Sequence, residues 1–125
     1  MSKPFVVREE DCPLEGWDTA GRGEVRWRTL LSGDRTPTEA MTMGVAEVLE
    51  TTLHLHRHAH PETYHVLSGA GTLQIDGVDH PLSAGTTAFI PGDAWHGAYR
   101  VGDEVLKLLY VFATDSFDDV DYEFG

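Results

Sequence analysis

The sequence predicts an all-β sandwich or barrel. Short runs alternate apolar and polar residues with a period of two, Gly- and Pro-containing breaks follow closely on one another, and no stretch sustains a helical period. With 41% hydrophobic and 24% charged residues among 125, the chain fits one ordinary globular domain that can bury its own core. It divides into an irregular N-terminal arm (1–23), a strand-rich barrel body (24–113) and an acidic tail (114–125) within a single domain (1–125).

In the arm, Pro4, Asp11, Pro13, Gly16, Gly21 and Gly23 interrupt isolated apolar residues. A short strand at Pro4–Val7 is the one regular element expected there, with Cys12 and Trp17 as packing residues. Glu24–Leu31 then alternates cleanly, Val25, Trp27 and Thr29 on one face and Glu24, Arg26 and Arg28 on the other. After a loop at Ser32–Pro37, Ala40–Glu50 resumes an extended pattern, in which Thr42 and Gly44 argue against a helix. Thr72–Ile75 and Val78–Leu82 flank Asp76-Gly77, a strong hairpin signal. Ser83-Ala84-Gly85 leads into a strand ending at Pro91, and Glu104–Phe112, apolar on both faces, reads as a central covered strand. In the tail, Phe117, Val120, Tyr122 and Phe124 sit among acidic residues and need a surface to cover, the barrel mouth being the nearest.

A formal net charge of -12 with nine Lys and Arg disfavours nucleic acid and anionic membrane surfaces as partners. A single cysteine, Cys12, excludes an internal disulfide, and no apolar run has the length of a signal h-region or a membrane span, so a cytoplasmic location is expected. Strand edges must be covered. With Pro4-Phe5-Val6-Val7 available to pair across to a partner, a homodimer is expected.

The stretch Leu53–Gly71 holds five of the seven histidines. As a strand it places His54, His56 and His58 on one face and Leu53 and Leu55 on the other. Pro61 then breaks regular pairing, and Tyr64 and Val66 follow on the face of Glu62. His56, His58 and Glu62 can therefore converge on one point, as in catalytic first-row metal sites that keep positions open. A solvent-exposed histidine cluster titrating near neutrality is the alternative. Downstream, Gly85–His96 is a strand and a Pro-Gly-Asp turn that delivers His96, a candidate fourth ligand.

Together the two stretches resemble the paired motifs of the cupin superfamily: His56-x-His58, three residues, Glu62, six residues, Gly69; then Gly85, five residues, Pro91-x-Asp93-x-x-His96. The resemblance implies a cupin-type antiparallel β-barrel or jelly roll enclosing one divalent transition metal ion (Fe, Mn, Ni or Zn) on His56, His58, Glu62 and His96. Glu50 stands where the first motif usually opens on Gly, and Arg100 where the second often ends on Asn, departures that bear on turn geometry and not on the ligands. His60 and His65 read as rim or outward residues, and His54 as support for a ligand.

A closer resemblance is to the small single-domain cupin lyases that cleave dimethylsulfoniopropionate to dimethyl sulfide and acrylate. It rests on the Trp27 strand, Gly44-Val45-Ala46-Glu47, the His56–Tyr64 motif, and the ending Val111–Asp115 with Val120-Asp121-Tyr122. It implies a metal-held substrate carboxylate, a tyrosine base (Tyr64) and an assisting tyrosine (Tyr122). Tyr64 as a lining residue that only packs is the alternative. The cationic head of such a substrate would lie against Trp95, Tyr99 or Trp27. The same ligands would equally serve an iron dioxygenase of a small enol, diketone or thiol, an isomerase, or a sugar- or small-acid-binding domain without catalysis.

Overall fold

The computed structural model describes residues 2–19 and 23–125. Ten strands lie among them: β1 (Leu14–Thr19), β2 (Gly23–Leu31), β3 (Thr42–Arg57), β4 (Glu62–Ser68), β5 (Ala70–Ile75), β6 (Val78–Ser83), β7 (Thr87–Ile90), β8 (His96–Arg100), β9 (Leu106–Phe112) and β10 (Glu123–Phe124). The pairings are antiparallel.

Strand β3, 16 residues long, belongs to two sheets. Its first half pairs with β2 and β9, extending to β1 on one side and to β4 and β7 on the other; its second half pairs with β8 and β10, extending to β5 and β6. The two expected segments fuse because Leu49–Leu53 contains no Gly or Pro to turn the chain, so residue 50 continues the strand.

The register of β3 against β8 shifts between Leu53 and His56. That irregularity corrects the simple alternation expected for the histidines: Leu53, His56 and His58 are buried, whereas His54 and Leu55 are exposed.

The arm is irregular through Pro13 except for a 3-10 turn at Glu9–Asp11, and buried Cys12 packs there as expected. No strand forms at Pro4–Val7. No described residue pairs with its backbone, and Val6 is 97% exposed. Leu14–Thr19 is instead a strand on β2, and Gly16 suits the site because a Cβ there would stand 3.0 Å from the Val25 carbonyl oxygen. Residues 20–22, including Gly21, lie outside the described residues.

The hairpin at Asp76-Gly77 has φ of 47° and 83°, the left-handed pair that its sequence signals. Val48, Leu73, Ile90, Leu106 and Phe112 are fully enclosed between the sheets. Gly44 faces Tyr110 across β3 and β9, where any Cβ would collide with the phenol.

The tail is fastened at both ends. Thr42 Oγ1 donates to Thr114 O at 2.9 Å, Ala40 N to Asp115 Oδ1 at 2.6 Å and Phe117 N to Ser32 Oγ at 3.0 Å, while Ser116 and Asp119 form a capping box on the 3-10 turn Phe117–Asp119. At the other end Phe124 pairs with His56, Gly125 N donates to Leu55 O at 3.1 Å, and Arg57 Nε meets Glu123 at 2.6 Å.

Candidate metal centre and cavity

The two sheets bring His56 and His58 (β3), Glu62 (β4) and His96 (β8) to one place, all 4% exposed or less. One ring nitrogen from each histidine lies within 4.8 Å of the others. Glu62 Oε1 stands 3.2 Å from His58 Nε2 and 3.4 Å from His96 Nε2.

The opposite ring nitrogens decide the tautomers. His56 Nδ1 contacts His54 O at 2.7 Å, His58 Nδ1 contacts His60 O at 2.8 Å, and His96 Nδ1 contacts Ala94 O at 2.9 Å. A carbonyl only accepts, so each Nδ1 carries the proton and each neutral ring turns its Nε2 lone pair toward the others. The support from His54 and His60 thus comes from their backbones. His65, bonded to Thr87 at 2.7 Å, faces away.

Three lone pairs and a carboxylate facing one point repel unless a cation or proton lies between them. His96 Nε2 is buried without a hydrogen-bond partner. Burial holds the His56 pKa down to about 4, with the neighbouring His96 acting in the same sense. Burial also pushes His58 down, but the Glu62 carboxylate outweighs it and leaves His58 raised. Burial pushes Glu62 up, and the neighbouring His58 and His96 rings more than reverse it. The donor set, imidazoles with one carboxylate, fits a divalent first-row ion.

Beside these residues lies a cavity of about 40 Å³, bounded by Tyr64, Trp17, Trp27, Tyr110, Phe117 and Tyr122. The Tyr122 ring centroid is 5.2 Å from those of His56 and His58, and the Tyr64 centroid is 6.5 Å from that of His96. Burial, then the Glu62 charge, keeps both phenols well above the usual tyrosine range. Trp17 stacks edge-on with Trp27 and Tyr122, each at 5.2 Å. Outside Tyr122 an open groove is lined by Arg57, His60, Asp93, Asp119, Asp121 and Glu123.

Of the aromatic residues expected against a cationic head, Trp27 lines the cavity. Trp95 is covered by the Arg57 guanidinium at 4.8 Å, and Tyr99 is 38% exposed on β8; neither lines the cavity. Trp17, Tyr110 and Phe117 were not legible as cavity residues. Trp17 and Phe117 enter only through the pairing of β1 and the fold-back of the tail, whereas the alternation of β9 could have singled out Tyr110.

The cupin domain model, "Cupin domain", matches residues 44–112. The chain is 43% identical to a dimethylsulfoniopropionate lyase, DddW, of Ruegeria pomeroyi over 97% of its length and 80% of that protein's. It is 28% identical to an oxalate-binding protein of Thermotoga maritima, over 86% and 92% of the two chains. Among solved structures, a cupin-2 domain protein of Rhodospirillum rubrum superposes with a TM-score of 0.79 at 20% identity, covering 100% of this chain and 82% of that one. With its motif histidines gathered inside two antiparallel sheets, the chain belongs to the cupin family.

Proposed function

We propose that the protein is a metal-dependent cupin lyase that cleaves dimethylsulfoniopropionate to dimethyl sulfide and acrylate. The observation that carries this reading is the convergence of four buried acceptors, His56, His58, His96 and Glu62, beside a chamber walled by three phenols and two indoles. The identity to a lyase of this substrate supports it.

Those four side chains would hold a divalent ion, which would supply Lewis-acid chemistry for the substrate carboxylate and favour phenolate at Tyr64. Tyr64 takes the proton from the carbon beside the carboxylate. The released electron pair forms the carbon–carbon double bond, and the bond to sulfur breaks with its electrons leaving on neutral dimethyl sulfide. No acid is needed for departure, because a sulfonium is already a good leaving group. Tyr122, which also lines the chamber, assists. Ring faces of Trp17 and Trp27 suit the sulfonium head, and the acidic groove outside Tyr122 attracts it. The cavity has room for about three waters, so Tyr122 and β10 yield outward as substrate is taken in.

The reading is tested by supplying purified protein with each of iron, manganese, nickel and zinc under argon and following acrylate. Acrylate released without oxygen supports it. Oxygen uptake with a small enol or diketone, and no acrylate, replaces it with a dioxygenase.

A further inference from the structure

Two buried donors in the chamber lack an acceptor. Trp27 Nε1 and the Tyr110 hydroxyl are both shielded from solvent and make no hydrogen bond among the described residues, and both side chains line the chamber that reaches Glu62 and His56. Thr29 directs its hydroxyl hydrogen to Glu15 at 3.2 Å and stands near enough to the Tyr110 phenol to pull its pKa down, yet no hydrogen bond of good geometry joins the two.

The strand register orders these groups by depth. Glu62 faces Phe112 and Tyr64 faces Tyr110; Trp27 faces Ala46, whose partner Leu108 faces Val66. Two residues along a strand advance roughly 6.6 Å. Tyr110 therefore lies one step, and Trp27 two steps, from the Glu62 row. A sulfonium head uses ring faces and offers these donors no good acceptor. Among the described residues no Lys or Arg lines the chamber, so a neutral oxygen matches them better than a second carboxylate.

We propose that Trp27 and Tyr110 form a polar subsite for a neutral oxygen acceptor at the far end of a short carboxylate, making γ-keto acids a second ligand class. The proposal rests on the lyase reading only in placing the ligand's carboxylate at the His–Glu centre.

The test is calorimetric titration of the metal-loaded protein with 4-oxopentanoate and with 4-methylpentanoate, which share chain length and outline and differ by the carbonyl. The expected result is tighter binding of the keto acid by about tenfold, the scale of one or two buried hydrogen bonds. Trp27→Phe and Tyr110→Phe should each shrink that ratio toward one. A wild-type ratio of one or below, meaning that water already satisfies the donors, overturns the subsite. So does a ratio that persists in both variants, or failure of both acids to bind at millimolar concentration. Because no turnover is read, absence of lyase activity with the keto-acid preference intact removes the lyase and leaves the subsite standing.

Discussion

Glu62 Oε1 stands 3.2 Å from His58 Nε2, and the other nitrogen of that ring is occupied at 2.8 Å by the carbonyl of His60. An imidazole fixed in this way cannot turn its second nitrogen to the same task. His58→Ala should therefore lose most of the bound metal in elemental analysis, and undiminished metal content would count against the ligand set. Chelation should lower the melting temperature of the wild-type protein, since an ion at a hundred times its dissociation constant adds about 2.7 kcal/mol to the folded state. In His58→Ala the chelator should change little.

Tyr64→Phe keeps the buried ring that β4, paired with β7 and β9, turns toward the chamber and removes only the hydroxyl. Fold and metal content should survive while turnover falls about a hundredfold or more, the usual scale for losing a general base. Near-normal turnover with metal bound would place the base elsewhere.

Metal-free protein should lose stability in acid through His56. Its folded pKa of about 4 lies below the ordinary histidine value of 6.5, so below 6.5 the unfolded chain binds the extra proton and the folded chain does not. Stability falls as the pH drops from 6.5 toward 4, by about 3 kcal/mol at most. Glu62, lowered, adds a loss only as the pH falls below its ordinary range, whereas His58, raised, contributes stability that disappears above 6.5. Denaturant melts of chelated protein at pH 4.5 and 6.5 measure the difference, and a flat profile excludes His56 as its source.

We also propose a homodimer. Strands β6 and β7 end the long ladder, Phe89 on β7 is 65% exposed, and the extended arm presents Phe5, Val6 and Val7. Sedimentation should give twice the chain mass, and removal of residues 2–7 should weaken the association. A concentration-independent monomer of the whole chain would exclude it.

Much of the centre is legible in local sequence. His56 and His58 are two apart, Tyr64 follows Glu62 by two, and Asp93 before His96 takes the positive φ, 64°, that a Pro-Gly-Asp turn accommodates. Alternation failed at His54, because a register irregularity between distant strands is not encoded in spacing. It failed in the arm because Gly16 reads as a breaker until β2 lies close enough to need it. The aromatic chamber was largely hidden for the same reason: Trp17, Trp27 and Tyr122 become neighbours through pairings across most of the chain.

Gly44 leaves a notch in β3 that the Tyr110 phenol occupies, with the Arg28 carbonyl oxygen 2.7 Å from where a Cβ would stand. A residue with no side chain thus sets where that chamber phenol lies. A methyl at position 44 would displace the phenol and press on the Arg28 carbonyl, and the first consequence should be a changed range of accepted chain lengths. Variation at this one backbone position could retune selectivity in a barrel whose acid–base chemistry stays the same.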